Sequence, residues 1–97
     1  MLNQISEILS KIKSKNDLEN FLLEILTKSE VETLSKRWRI LTMLKEGYTQ
    51  REIAQELNVS LCKVTRGSKI LKDKNAIITK YLDKEFKNEQ LNDKLQY

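Results

Sequence analysis

Thr49-Gln50-Arg51-Glu52-Ile53-Ala54-Gln55-Glu56-Leu57-Asn58-Val59-Ser60-Leu61-Cys62-Lys63-Val64-Thr65-Arg66-Gly67-Ser68-Lys69-Ile70-Leu71-Lys72 is the stretch on which the fold turns. Thr49 followed three residues later by Glu52 has the form of a capping box, in which each side chain satisfies a free N–H of the other residue. Ile53, Ala54 and Leu57 then share one face of a short helix. Asn58-Val59-Ser60 makes a turn, because asparagine tolerates positive φ better than any residue but glycine, and Ser60 can cap a helix running to about Lys72. Two short helices that cross closely need a small residue on the first and apolar pins on either side of the turn. Ala54 is the small residue; Ile53, Leu57, Val59 and Val64 are the pins. A generic helical hairpin would also bury Ile53, Leu57 and Val64, but it would not demand alanine, asparagine and valine together at these offsets. Residues 49–72 are therefore expected to form a helix-turn-helix.

Outward from that motif the chain reads as all-α. Its 97 residues suit one domain, and two Gly, no Pro, 39% apolar and 33% charged residues favour helices over sheets. Leu2, Ile5, Ile8, Leu9 and Ile12 recur at helical spacing until the polar run Lys13-Ser14-Lys15-Asn16. Asn16 or Asp17 can cap a second helix carrying Leu18, Phe21, Leu22, Ile25 and Leu26. Thr27-Lys28-Ser29-Glu30 forms another capping box and opens a helix of about 18 residues, the central strut of the domain. The apolar stripe of this strut includes Val31, Leu34, Trp38, Leu41 and Leu44, and Gly47 ends it. A last helix from about Asn75 to Lys87 places Ile77, Ile78, Tyr81, Leu82 and Phe86 on one face, and residues 88–97 form a polar, frayed tail. So short a chain, cut into several amphipathic helices, has reason to complete its core with a partner subunit. The organisation expected is dimerisation helices over 1–46, the reader motif over 49–72, and a further dimerisation helix over 75–87.

Charge is unevenly spread. Residues 1–33 carry four basic and six acidic side chains, residues 34–74 ten and four, and residues 75–97 four of each, for net values of −2, +6 and 0. Positive charge gathered on the middle segment is what neutralisation of nucleic-acid phosphates requires. Residues 60–72 hold Lys63, Arg66, Lys69 and Lys72 and no acidic residue, the composition of a helix that lies in the major groove. Leu61 and Cys62 can meet thymine methyl groups, Thr65 can bond base edges or waters, and Arg51 can reach guanine or phosphate from the preceding helix. Gln50, Arg51, Leu61, Cys62, Lys63, Thr65, Lys69 and Lys72 are thus the expected DNA-facing set, with double-stranded DNA as the partner.

Other chemistries find little support. One cysteine, Cys62, and no histidine leave neither an intramolecular disulfide, a Cys-His pair nor a usual zinc set. No run approaches the roughly 20 apolar residues of a membrane span, and MLNQISEILSK is not a signal peptide, so a cytoplasmic protein is expected. Asp and Glu are scattered among lysines, without a phosphate loop or nucleophile motif, and no catalytic residue or metal ligand is assigned.

Leu26-Thr27, Arg37-x-Arg39-Ile40, Gln50-Arg51-Glu52 and above all Thr65-Arg66-Gly67-Ser68 followed by Leu71-Lys72 resemble the tryptophan repressor family over about residues 16–87. The resemblance implies a six-helix, intertwined homodimer whose two reader heads are set at operator spacing when L-tryptophan binds beside them as corepressor. Carried over by residue, it implies that Arg37 and Arg66 sandwich the indole and that Arg66 also holds the ligand carboxylate, tasks suited to a planar guanidinium. It further implies that Gly67 lies against the ring, that Leu41 forms apolar wall, and that Thr27 and the carbonyls around Glu24 and Leu26 of the other subunit meet the ligand's carboxylate and ammonium ends. A salt bridge to a helix glutamate is the other reading of Arg37. Lys69 stands where the family typically has asparagine, Ile70 offers no hydroxyl, and Glu24 is charged beside the pocket. Two further functions stay open: a regulator of this type that is constitutive or answers another ligand, and a helical module whose basic face docks an acidic protein.

Overall fold

The computed structural model describes residues 1–95, and side chains over residues 1–87. Six helices follow one another: α1 (Asn3–Lys11), α2 (Lys15–Ile25), α3 (Lys28–Glu46), α4 (Gln50–Leu57), α5 (Leu61–Lys72) and α6 (Ile77–Leu95), with no strand among the described residues. They form two compact units, Met1–Ser35 and Lys36–Tyr97, so the division falls within α3 where the sequence suggested one domain.

In the first unit, α2 is capped by Ser14 and not by Asn16 or Asp17. Ser14 has the extended backbone of an N-cap and its hydroxyl accepts from the Asp17 N–H at 3.3 Å, while Asp17 lies in the first turn, where a carboxylate favours the positive end of the helix. The capping box before α3 is complete. The Glu30 N–H donates to Thr27 Oγ1 at 3.1 Å, and the Thr27 N–H donates to Glu30 Oε1 at 2.9 Å. No residue of α1 or α2 is buried, and Leu2, Ile8, Leu23, Ile25 and Leu34 are exposed.

The second unit holds the core. Ile53 and Val64 are 0% exposed and cluster with Ile40 and Met43, flanked by Leu44, Ala54, Leu57 and Val59. Every pin of the motif is thus in or against one apolar cluster, and complete burial of a side chain such as Ile53 stabilises by about 1.5–3 kcal/mol. The strut keeps its expected stripe at Leu41 and Leu44 and departs from it at Leu34 and Trp38. Ile40, Leu41 and Met43 are buried, whereas Trp38 is 43% exposed, because the C-terminal half of α3 turns a different row of side chains toward this cluster.

Gly47, at φ +100°, ends α3 as expected, and its lack of a Cβ makes that conformation accessible. Thr49 caps α4 by accepting from the Glu52 N–H, but the return arm differs from a full capping box: the Thr49 hydroxyl itself donates to Glu52 Oε1 at 2.9 Å. Ser60 occupies the N-cap of α5 without a side-chain bond to the helix. The Asp73 carboxylate accepts from the Asn75 N–H, which holds a turn where the last helix was expected to begin, so α6 starts at Ile77. There Leu82 is buried and Ile78 and Phe86 half-buried, while Ile77 and Tyr81 are 69% and 60% exposed. The buried Thr79 donates to the Ile70 carbonyl at 3.0 Å, and Lys45 pairs with Asp83, fastening α6 to α5 and α3. The helix runs to Leu95, past the expected end at Lys87. The tail expected over 88–97 falls on residues whose side chains, and for Gln96 and Tyr97 whose backbone also, lie outside the description.

Candidate nucleic-acid interface

The turn between α4 and α5 is set by Asn58, which takes φ 53° and ψ 52° and donates its N–H to carbonyls of the last turn of α4, Ala54 and Gln55. The Val59 N–H closes on the Ala54 carbonyl at 3.1 Å. This left-handed residue swings the chain so that α5 crosses α4, with Val64 driven into the core.

Along α5 the exposed positions are Leu61, Cys62, Lys63, Arg66, Lys69 and Lys72, and the buried ones Val64 and Gly67. Arg51 on α4 is also exposed. Among the described residues none of these five cations has a hydrogen-bond or ion-pair partner. By contrast Arg39 is held by Glu46 at 3.2 Å and Lys45 by Asp83. Neither of these two ion pairs involves α5, whose basic face is left uncompensated among the described residues, as a surface that displaces counterions from phosphates requires.

Thr65 is placed differently from expectation. It is half-buried, and its hydroxyl lies 2.8 Å from Gln50 Oε1 and 3.0 Å from the Leu61 carbonyl, so it is engaged within the protein and not offered freely to a base edge. The sequence carried no signal for this link, because Gln50 opens α4 and Thr65 lies in the second turn of α5, fifteen positions apart.

Of the residues carried over for a ligand, Arg37, Leu41, Arg66 and Gly67 belong to the second unit. A Cβ on Gly67 would stand 3.0 Å from Ile40 Cγ2 and 3.4 Å from both Leu41 Cδ2 and Leu44 Cδ1, so the missing side chain is explained within the chain by the seating of α5 on α3. Gly67 was expected to lie against the ligand ring; within the chain its missing side chain also lets α5 sit close on α3. Arg37 lies one helical turn before Leu41, and Arg66 is next to Gly67; both are exposed and, among the described residues, neither forms an ion pair. The salt bridge that offered another reading of Arg37 is not formed there. Thr27, Glu24 and Leu26 lie in the first unit. The Thr27 hydroxyl accepts from the Glu30 N–H, and Glu24 and Leu26 sit at the C-terminal end of α2, where carbonyls lack helical partners. The Thr27 N–H and hydroxyl hold the Glu30 carboxyl below its ordinary carboxylate value. Among the described residues, no helix is long and apolar enough to cross a membrane, and no three His, Cys, Asp or Glu residues gather as a metal set.

A left-handed Asn turn, a helix pinned by Val64 and an unpaired basic face together define a helix-turn-helix DNA-binding protein. Residues 1–86 match the family model described as Trp repressor protein. The chain is 44% identical over 70 residues to a Trp operon repressor homolog of Xylella fastidiosa, covering 71% of this chain and 76% of that protein. It is 43% identical over 67 residues to one of Chlamydia caviae, covering 68% and 66%, and 36% identical over 77 residues to one of Chlamydia trachomatis, covering 78% and 82%. No solved structure matches it. The chain belongs to the Trp repressor family, whose members are DNA-binding regulators and not enzymes, and it is a DNA-binding repressor.

Proposed function

We propose that this repressor acts in the cytoplasm as an obligate homodimer on operator DNA and takes L-tryptophan as corepressor between Arg37 and Arg66. The observation that supports the ligand assignment is the close approach of α3 and α5 at Leu41 and Gly67, with the exposed, unpaired Arg37 one helical turn before Leu41 and Arg66 next to Gly67 in the sequence. Such a pair suits a flat ring bearing a carboxylate: one plane stacks, and the other can both stack and fork onto the acid. Glu24, Leu26 and Thr27 of the partner subunit would supply carbonyls and a hydroxyl to the amino-acid end. The ligand adds no chemistry; it favours the dimer whose two α5 helices fit successive major grooves. The dimer itself is supported by exposed apolar residues on the helices of both units, Ile8 and Ile25 in the first and Trp38, Ile77 and Tyr81 in the second, side chains that a partner subunit would cover.

A second reading is favoured by Gly67, whose absent side chain needs no ligand to explain it: a regulator of the same build that is constitutive or answers another molecule. Calorimetric titration of the full chain with L-tryptophan and other indoles, with and without DNA, decides between them. The corepressor reading expects heat on binding, tighter DNA binding, and a reciprocal gain in tryptophan affinity of about 5- to 150-fold. Neither heat nor a change in DNA affinity at millimolar L-tryptophan selects the second reading. A stable folded monomer in sedimentation at micromolar concentration removes the obligate dimer.

A further inference from the structure

Gln50 opens α4 and Thr65 lies in the second turn of α5, yet their side chains meet at 2.8 Å. Among the described residues this is the only side-chain hydrogen bond between the two helices of the motif. Both residues are half-buried, so water competes less for the bond than at an open surface. The Thr65 hydroxyl has one proton and two acceptors in reach, Gln50 Oε1 and the Leu61 carbonyl at 3.0 Å. When it serves Gln50, the amide oxygen is occupied and the two Nε2 protons remain for another partner. When it turns to Leu61, the amide is free to reverse and offer its oxygen outward. The groups a DNA backbone presents are acceptors, so only the first arrangement is productive.

We propose that Thr65 is a positioning residue for DNA recognition: by donating to Gln50 Oε1 it fixes the polarity of the Gln50 amide, which then presents its NH2 group to an acceptor on the DNA. Thr65 itself stays off the nucleic acid. The position of Gln50, beside the exposed cation Arg51 and at the start of the helix that braces α5, places the amide at the edge of the basic face. The inference rests on that face being the docking surface, and the experiment separates the two.

The probe is a duplex selected from a random-sequence pool by the full-length protein, with selection run in the presence and absence of L-tryptophan. Thr65→Val keeps the shape and removes the hydroxyl; it should weaken binding about 2- to 10-fold, the worth of one hydrogen bond. Thr65→Ser should restore near-parental affinity. In a chain already carrying Gln50→Ala, Thr65→Val should cost nothing further. Gln50→Glu, which still accepts from Thr65 but has no NH2 group, should preserve the urea midpoint and lose DNA affinity. An equal loss from Thr65→Val with and without Gln50→Ala would show that Thr65 acts on its own and overturns the proposal, as does unchanged affinity in Thr65→Val while Arg51→Ala and Lys72→Ala weaken binding. If Arg51→Ala and Lys72→Ala also leave affinity unchanged, the docking surface itself is wrong and the proposal falls with it.

Discussion

Gly67 of α5 lies so close to Ile40 of α3 that a methyl group at position 67 would stand 3.0 Å from Ile40 Cγ2. Two opposed effects meet there. Alanine in a helix interior gains about 1 kcal/mol over glycine. Against this, Ile40 is buried and β-branched, so Cγ2 has little freedom to withdraw, and overfilling a packed core costs about 1–3 kcal/mol. The contact outweighs propensity, and Gly67→Ala should lower stability by up to about 2 kcal/mol, read as a reduced urea midpoint at unchanged m. A raised midpoint would mean that α5 is not seated on α3 at this point. Gly67→Leu should unseat α5 altogether, so it cannot serve as a clean block of a ligand site; Arg37→Ala, at an exposed and unpaired side chain, is the better probe.

Much of this was legible because the deciding signals are local. The caps at Thr27 and Thr49, the glycine at position 47 and the left-handed Asn58 depend on chemistry within four residues, and each sits where the sequence placed it. The pins Ile53, Leu57, Val59 and Val64 followed from spacing alone. What was missed depends on distant partners. In α3 the apolar residues Val31, Leu34, Trp38, Ile40, Leu41, Met43 and Leu44 together cover roughly two thirds of the helix circumference at 3.6 residues per turn, so periodicity could not tell which row meets α4 and α5. The cap of α2, expected at Asn16 or Asp17, falls to Ser14, because the extended backbone that a cap needs lies there and Asn16 and Asp17 are already helical. The Gln50–Thr65 link joins two helices whose crossing had to be known before their side chains could be paired.

Asn58 holds the turn in a conformation that costs an ordinary L-residue roughly 1–2 kcal/mol. Asn58→Gly should therefore fold with nearly parental stability, since glycine enters this region freely. Asn58→Val adds branching at Cβ to the unfavourable φ and should lose at least about 1–2 kcal/mol in urea denaturation. Equal stability of the two variants would mean that the turn does not require positive φ at this position.

Glu30 ties a pH dependence to the start of α3. Its carboxyl is lowered by the Thr27 N–H and, after that, by the Thr27 hydroxyl. A carboxyl lowered in the folded state contributes stability that is present above its unfolded value and is lost as pH falls through the folded one. The site is fully exposed, so the effect is small and is best followed as the NMR titration of Glu30 itself, whose midpoint should lie below that of an unbonded glutamate. Glu30→Gln keeps an oxygen for the Thr27 N–H but carries no charge, so it should remove this contribution to the acid limb without breaking the cap. A Glu30 that titrates at or above the ordinary value would show that the box is open in solution.

Arg51 and Lys72 should contribute to DNA binding in different currencies. Lys72 is an exposed, unpaired ammonium at the last residue of α5, far along the helix from the N-terminal residues that enter a groove in this motif. It should contact phosphate, which every sequence presents alike. Lys72→Ala is expected to weaken selected and unrelated duplexes by similar factors and to reduce the slope of log affinity against log salt by about one unit. Arg51 on α4 carries a planar fork able to grip a guanine edge, and Arg51→Ala is expected to cost about 1–3 kcal/mol on the selected duplex while relaxing preference at one base pair. Measuring both variants on both duplexes over a range of salt separates the terms. Loss of sequence preference with Lys72→Ala but not with Arg51→Ala would reverse the orientation of α5 on the DNA, putting its C-terminal end over the bases and its N-terminal end over the backbone.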